Sequence, residues 1–195
     1  MLDPHHAIAL SLCFLSGSIP YGFLIPKYLK GINILERGSG NPGAANVLYE
    51  AGRLAGLLVL VLDSLKGGLP VYVIGILFPD SVLLQAACGG AAILAHCWTP
   101  FLHFKGGKAV ATSMGVFFAL VPLETGLTVA IFVVVVKLSG HISVGSMVGA
   151  AALPALILGT GRPNEFCILA AWAGLLILYR HIPNLKRLLA NREID

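Results

Sequence analysis

Four short polar segments carry the residues of this sequence that could do chemistry. They are ERGSGNPGAANV (36–47), HFKGGKAVAT (103–112), KLSGHISVGS (137–146) and YRHIPNLKRLL (179–189). Between them they hold glycines, lysines, arginines, histidines, asparagines and serines, whose N–H, hydroxyl and cationic groups can bind an anion. Each segment lies beside apolar sequence, where ionisable residues are costly unless they have a function. We therefore predict an anion-binding site built from these segments.

The first segment is typical of a backbone anion nest. Its closely spaced glycines let several N–H groups point into one concavity, and Ser39, Asn41 and Asn46 add neutral polar groups. A formal match to the dinucleotide motif G-x-G-x-x-G does not carry that function, because no strand precedes it. The alternative interpretation is a flexible connector.

The second segment places two glycines between two lysines. Lys108 is followed by Ala109 and no strand leads in, so the segment is not a Walker A loop. Gly106 and Gly107 would allow a tight turn at the start of a helix, whose N-terminus favours a phosphate. Lys105 and Lys108 would add full positive charges. Alternatively, both lysines reach the membrane surface and only set the orientation of the chain.

The third and fourth segments add hydroxyl, imidazole and amide groups. Ser143 and Ser146 are three residues apart and share a helical face, where they could bind a ligand or join two helices. His181 and Asn184 approach one face if the helix continues past Pro183. A basic tail that touches anionic lipids would explain Arg192 but not the histidine or the asparagine.

Two further groups of polar residues are given structural roles. Asp63 and Lys66 are three residues apart in an apolar stretch, and we predict an ion pair that supports the first segment in preference to a catalytic role. His96, Cys97 and His103 lack a recognisable metal-ligand spacing. We expect neither a metal nor a cofactor.

Composition identifies the environment of the chain. The 195 residues are 57% hydrophobic and 11% charged, with a mean hydropathy of +0.87, which is typical of a membrane protein. We predict an all-α integral membrane protein that forms a single domain over residues 1–195. Its seven predicted spans are Ala7 to Ile25, Leu54 to Leu77, Ser81 to Cys97, Ala109 to Val121, Thr125 to Leu138, Val144 to Leu158 and Phe166 to Tyr179.

The basic residues predict the orientation of these spans. With seven spans, one face receives Lys27, Lys30, Arg37, Arg53, Lys105, Lys108, Lys137, Arg180, Lys186, Arg187 and Arg192. The other face has Arg162 as its only basic residue. Because Lys and Arg collect on the cytoplasmic side, we expect the N-terminus outside and the C-terminus inside. All four polar segments then face the cytoplasm, which favours an enzyme over a transporter with a midplane site.

The motifs together resemble a known family. GSIPYG at the end of the first span, GSGNPGAANV, DSLKG in the second span, FKGGKAVAT, SVGS and YRHIPNLKRLL occur in the order found in the acyl-phosphate:glycerol-3-phosphate acyltransferases, the PlsY family. The resemblance covers nearly the whole chain. It implies seven spans in the bacterial inner membrane, and transfer of a fatty acyl group from acyl phosphate to the 1-hydroxyl of glycerol 3-phosphate. The product would be lysophosphatidate, in the first step of phospholipid synthesis.

The resemblance also assigns roles to individual residues. Catalytic roles fall on Ser39, Lys108 and His181, and substrate-binding roles on Gly40, Asn41, Asn46, Arg53, Lys105, Gly106, Gly107, Ser143 and Asn184. The chain departs from the family pattern at three of its positions. Ala45 replaces a usual threonine, Tyr49 an arginine, and Ala109 the last glycine of GGKG.

A direct transfer fits these residues best. The chain has no G-x-S-x-G elbow and no His-x4-Asp signature, so we predict no acyl-enzyme. The glycerol hydroxyl would attack the acyl carbonyl, and the leaving phosphate or His181 would take the proton. The expected partners are acyl phosphate, glycerol 3-phosphate and membrane lipid, without nucleic acid. Two alternatives stay open, a phosphate or lipid-phosphate permease and an acyltransferase that uses acyl-carrier protein or acyl-CoA.

Overall fold

The computed structural model describes residues 3–190. All regular secondary structure in this range is helical. Two short 3-10 helices, Ile34–Glu36 and Pro100–Leu102, accompany ten α-helices. Arg192, named above as part of a basic tail, lies outside the described residues. The α-helices are α1 Pro4–Ser18, α2 Tyr21–Lys30, α3 Ala44–Ala51, α4 Arg53–Leu77, α5 Val82–Cys97, α6 Val110–Leu120, α7 Pro122–Ser139, α8 Ile142–Gly159, α9 Asn164–Arg180 and α10 Ile182–Leu189.

Each of the seven predicted spans falls on helical structure. Within residues 3–190, five helical segments are long and apolar enough to cross a membrane, and α9 with α10 makes a sixth if this bent pair is one span. The remaining apolar helix, α6, has only 11 residues. The prediction of an all-helical fold is confirmed. By its length alone, α6 is too short to be counted as a membrane span.

The first predicted span is not one continuous helix. It contains α1 and α2, which are separated at Ile19 and Pro20. Proline has no N–H to continue a helix, and it disfavours the helical conformation of the residue before it. Ile19 accordingly has an extended backbone with ψ 119°. The chain thus breaks its helix inside an apolar segment.

The helices group into two units. The first unit comprises α1 to α6 (residues 3–120), and the second comprises α7 to α10 (residues 121–190). In the first unit α4 packs on α6, and α1 packs on α5. A Cβ at Gly68 would lie 2.5 Å from the carbonyl oxygen of Gly115, so these two backbones nearly touch. Small residues bring membrane helices together in this way, as the many glycines of the sequence lead one to expect.

The second unit is built on α8, which packs against α7 and α9. The Nε of Arg162 donates a hydrogen bond of 2.8 Å to the carboxylate of Glu124, whose side chain is fully buried. Between α9 and α10 the chain bends by 48°. His181 lies at this bend and Pro183 in the first turn of α10, so the helix does not run straight past the proline.

Candidate active site

The first glycine-rich loop, residues 37–43, is held at both ends by a small hydrophobic core. Ile34 precedes the loop, and Val47 and Ala51 follow it on α3. These residues are buried against Ala55 and Val59 of α4. Apolar contacts thus fix the residues on either side of the loop.

Asn46 determines the shape of this loop. Its Oδ1 accepts a hydrogen bond of 3.1 Å from the backbone N–H of Ser39. Its Nδ2 donates to the carbonyl oxygens of Arg37, at 3.1 Å, and Asn41, at 3.0 Å. A side-chain amide has two N–H donors, and here both are used within the loop. Asn46 therefore holds the loop backbone, while Ser39 remains exposed.

The glycines of the first loop serve its backbone conformation. Gly38 and Gly40 have φ values of +54° and +70°, in the left-handed region that glycine enters without strain. The loop also lies very close to α2, because a Cβ on Gly22 would overlap the carbonyl oxygen of Pro42. The loop is thus placed against the start of α2, immediately after the break in the first span.

The second glycine-rich loop, residues 103–109, follows a capped turn at the end of α5. Thr99 Oγ1 accepts from the N–H of Phe101, at 3.3 Å, and the carbonyl oxygen of Thr99 accepts from the N–H of Phe104, at 2.9 Å. His103 and Phe104 have positive φ values of 51° and 60°. Lys105 is exposed and Lys108 half-buried, on either side of two buried glycines.

Gly106 and Gly107 pack directly on the end of α5. A Cβ on Gly106 would overlap the carbonyl oxygen of His96, and one on Gly107 would overlap the imidazole Nε2 of His96. The N–H of Gly107 donates to the His96 carbonyl oxygen, at 3.2 Å. These two glycines are therefore required for space, since no larger residue fits between the loop and the helix.

Ala109 ends this loop in a conformation that alanine rarely adopts. Its φ is +65°, and its side chain is fully buried. The carbonyl oxygen of Ala109 accepts from the N–H of Ser113, at 2.8 Å, so this residue leads directly into α6. Ala109 is the position at which the sequence departs from the GGKG pattern, and the structure shows why a glycine suits it.

Under the two loops lies a buried pair of opposite charges. Lys66 Nζ and Asp63 Oδ1 are 2.7 Å apart, and their side chains are 3% and 1% exposed. The ion pair itself is thus confirmed, and its support of the first segment stays a prediction. Lys66 also donates to the carbonyl oxygen of Ile19, at 2.7 Å, so the pair supports the break between α1 and α2. His96 Nδ1 lies 3.9 Å from the same Asp63 oxygen.

Both loops border one small cavity inside the first unit. Pro42 of the first loop and Gly106 and Gly107 of the second line it, together with Ser18, Pro20, Gly22, Asp63, Lys66, His96, Thr99 and Leu102. The structure therefore brings the first two predicted motifs together. Within residues 3–190, no three His, Cys, Asp or Glu side chains are grouped as metal ligands.

The remaining predicted residues belong to the second unit, except for Arg53. Ser143, His181 and Asn184 are 3%, 4% and 6% exposed, so all three are buried. His181 Nδ1 lies 2.8 Å from the carbonyl oxygen of Ile177. A carbonyl oxygen can only accept, so this contact is a hydrogen bond when Nδ1 carries a proton. Arg53 is exposed at the first position of α4.

Three features of the site were not found from the sequence. They are the capping of the α1–α2 break by Lys66, the contact of His96 with the second loop, and the use of both Asn46 donors within the first loop. The only available signals were the proline after Ile19 and the placement of His96 ten residues before Gly106. Neither specifies which atoms meet.

Fold and site together define an all-helical protein with membrane-length helices and two glycine-rich loops beside one small cavity. The family model described as glycerol-3-phosphate acyltransferase matches residues 7–191. The chain therefore belongs to the glycerol-3-phosphate acyltransferase family.

Individual relatives agree with this assignment. Glycerol-3-phosphate acyltransferase 2 of Moorella thermoacetica is 42% identical over 95% of either chain. The glycerol-3-phosphate acyltransferase of Endomicrobium trichonymphae is 40% identical over 93% of this chain and 91% of its own length. Crystal structures of PlsY, an integral membrane glycerol 3-phosphate acyltransferase, superpose with TM-scores of 0.94 for the glycerol 3-phosphate form and 0.91 for the lysophosphatidic acid form. Both are 34% identical and match 98% of this chain and 95% of the crystallised one.

Proposed function

We propose that this protein transfers a fatty acyl group from acyl phosphate to the 1-hydroxyl of glycerol 3-phosphate. The products are lysophosphatidate and inorganic phosphate. As a member of its family the chain is a glycerol-3-phosphate acyltransferase and an enzyme of phospholipid synthesis. The observation that carries the proposal is the meeting of two glycine-rich loops at one cavity, with a lysine beside the glycines of the second loop. Family membership favours this function over the permease.

The reaction needs positioning and charge stabilisation more than a nucleophilic side chain. Acyl phosphate is an activated mixed anhydride. The glycerol hydroxyl oxygen attacks its carbonyl carbon, the bond from that carbon to the phosphate oxygen breaks, and the phosphate leaves with the electron pair. Holding both reactants in line and neutralising the developing negative charge supply the catalysis.

The two loops of the first unit suit the acyl phosphate. Ser39, Gly40 and Asn41 lie in the first loop, and its backbone is fixed in advance by Asn46. The buried backbone of the second loop brings Lys108 to the start of α6, where the N-terminal N–H groups favour an anion. We assign Lys108 and Ser39 to the negative charge that develops on the phosphate and the acyl oxygen.

The other predicted residues suit glycerol 3-phosphate. Lys105 and Arg53 are exposed cations, and Ser143 and Asn184 are buried polar groups. By their places in the family's motifs, we assign these four residues to the binding of glycerol 3-phosphate. His181 or the leaving phosphate accepts the hydroxyl proton. The contact of His181 Nδ1 with the Ile177 carbonyl oxygen fixes the orientation of this ring.

The proposed topology has seven spans, with the N-terminus outside and the active site at the cytoplasmic face of the bacterial inner membrane. It counts α6 as a span, although 11 residues rise only about 17 Å and the hydrocarbon core is about 30 Å thick. A short α6 would leave the second loop below the membrane surface. Such irregular backbone is tolerated there when protein buries it or a polar cavity adjoins it. Gly106 and Gly107 meet both conditions, because they are buried in the protein and they line the cavity.

A donor comparison tests the proposed reaction. Purified protein in lipid vesicles receives labelled glycerol 3-phosphate and the same acyl chain as acyl phosphate, acyl-CoA or acyl-carrier protein. We expect lysophosphatidate and an equal amount of inorganic phosphate from acyl phosphate alone. Product from acyl-CoA or acyl-carrier protein would contradict the proposed donor. Labelled substrate that crosses the bilayer without any product would instead indicate the permease.

A further inference from the structure

The buried Lys66 ammonium group lies at the break between α1 and α2. Its Nζ donates to the Ile19 carbonyl oxygen at the end of α1 and lies 2.7 Å from Asp63. The carbonyl groups at a helix end have no partner within the helix, and in an apolar setting each one left unsatisfied is costly. Thr99 Oγ1 donates to the neighbouring carbonyl oxygen of Ser18, at 2.6 Å.

The same group of residues continues to the second loop. Asp63 Oδ1 is 3.9 Å from His96 Nδ1, and the carbonyl oxygen of His96 accepts from the N–H of Gly107. Thr99 also accepts the N–H of Phe101 in the turn that precedes this loop. These residues therefore lie in succession from the helix break to the glycines beside Lys108, and the widest step is the 3.9 Å between Asp63 and His96.

Stability alone does not account for a buried ion pair here. Well-packed apolar residues often replace such a pair without loss of stability, because removing two charges from water costs as much as their attraction returns. An ionisable residue in a membrane helix more often marks a functional site. Lys66 and Asp63 also line the cavity that both glycine-rich loops border.

We propose that Lys66 is a positioning residue for acyl transfer, acting with Asp63 and His96 to set the second glycine-rich loop against the α1–α2 break. The inference rests on the proposed function. Lys66 acts through the backbone of Gly107 and thus through the placement of Lys108. A small displacement of a substrate-holding group lowers turnover strongly, so loss of this set should reduce kcat about 10- to 100-fold.

The test separates positioning from stability. Lys66→Met leaves the Asp63 carboxylate buried without its lysine, and both stability and kcat should fall. The double variant Lys66→Met with Asp63→Leu has no charge at either position, so its melting temperature should exceed that of the single variant. Its kcat should nevertheless stay about 10- to 100-fold below wild type. Amide hydrogen exchange across residues 98–109 should be faster than in wild type.

A control removes the ion pair of the second unit, in which Glu124 is buried and Arg162 is exposed. Arg162→Met with Glu124→Leu removes a pair with a similar nitrogen–oxygen distance, 2.8 Å, and should leave kcat per folded molecule unchanged. Wild-type kcat in the Lys66/Asp63 double variant, or unchanged exchange across residues 98–109, would overturn the inference. If the double variant does not fold, Asp63→Asn takes its place. Its kcat and its amide hydrogen exchange across residues 98–109 are then compared with those of wild type, and wild-type values of either would overturn the inference. Wild-type protein that makes no lysophosphatidate would refute the proposed function, whereas the exchange comparison would still test the inference.

Discussion

The two glycine-rich loops use glycine for different physical reasons. In the first loop, Gly38 and Gly40 adopt a left-handed backbone, and a Cβ on Gly38 would also meet the side chains of Asn46 and Glu50. In the second loop, Gly106 and Gly107 are buried against His96, where a Cβ has no room. Backbone conformation requires glycine in the first loop, whereas at Gly106 and Gly107 the requirement is close approach alone. The same residue type should therefore tolerate different substitutions in the two loops.

Gly106→Ala should have the largest effect. The added Cβ would overlap the carbonyl oxygen of His96, and neither the loop nor α5 can move away without breaking the Gly107–His96 hydrogen bond. Overpacking of this kind costs about 1–3 kcal/mol or more, and here it also displaces Lys108. We expect a lower melting temperature and no measurable acyl transfer. Gly126→Ala, which has open space around its Cβ, is the control and should keep both properties. Equal behaviour of the two variants would refute the space argument.

Lys108→Ala should come next, with the fold intact. Removing one charge-stabilising donor lowers the rate about 10²- to 10³-fold. The measurement is kcat for lysophosphatidate formation, with circular dichroism and melting temperature to show that the variant is folded. Lys30→Ala removes an exposed lysine at the end of α2 and should keep the wild-type rate. A folded Lys108→Ala enzyme of near-normal activity would remove this residue from the site.

Ser39→Ala extends the comparison to the first loop. The hydroxyl is exposed and the Ser39 N–H is already bound to Asn46, so the change removes a donor without disturbing the loop. We expect a rate loss of about 10²-fold and an unchanged melting temperature. Ser11→Ala, at an exposed position of α1, is the matched control. Wild-type rates in the Ser39 variant would show that the first loop contributes only backbone groups.

Gly40→Asn distinguishes conformation from space. Asparagine enters the left-handed region more readily than other residues with a side chain, so Gly40→Asn should be milder than Gly40→Ala. At Gly106 the order of tolerance should instead follow side-chain size, with Asn worse than Ala. Melting temperatures of these four variants give the comparison directly. Identical rankings at the two positions would mean that the loops do not differ in the way described.

Ala109→Gly should have the smallest effect and should be favourable. At a φ of +65° alanine is strained by about 1–2 kcal/mol relative to glycine, and the loss of a buried methyl group offsets part of this gain. We expect a melting temperature that rises by a few degrees, with kcat unchanged or higher. Ala111→Gly, inside α6, is the control and should be destabilising. A lower melting temperature for Ala109→Gly would show that the methyl group matters more than the backbone.

The sequence predicted the helices well because apolar length and charge placement are local properties. Six of the seven predicted spans coincide with single helices to within a few residues, and the Asp63–Lys66 pair followed from a spacing of three. The break at Ile19 was not predicted, because its stability depends on donors from Lys66 and Thr99, which are distant in sequence. Likewise, Asn46 was predicted to bind substrate, and only the structure shows it holding the loop.

For the site as well, the sequence predicted which residues are present but not which atoms are in contact. Residue types and motif order identified Gly106, Gly107 and Lys108, but not the contact of the glycines with His96. The backbone strain at Ala109 could not be read from a single sequence either, although the departure from GGKG marked the position. Tertiary contacts decide both features. The catalytic and binding roles of the predicted residues remain predictions that the variants above test.

The central claim is that the two loops of the first unit hold the phosphate of the acyl donor. A crystal structure with a non-hydrolysable acyl phosphonate tests it most directly. The account predicts the phosphonate oxygens within hydrogen-bonding distance of Ser39, of the backbone N–H groups of the second loop and of Lys108 Nζ. A well-ordered phosphonate bound elsewhere, with both loops unoccupied, would contradict it.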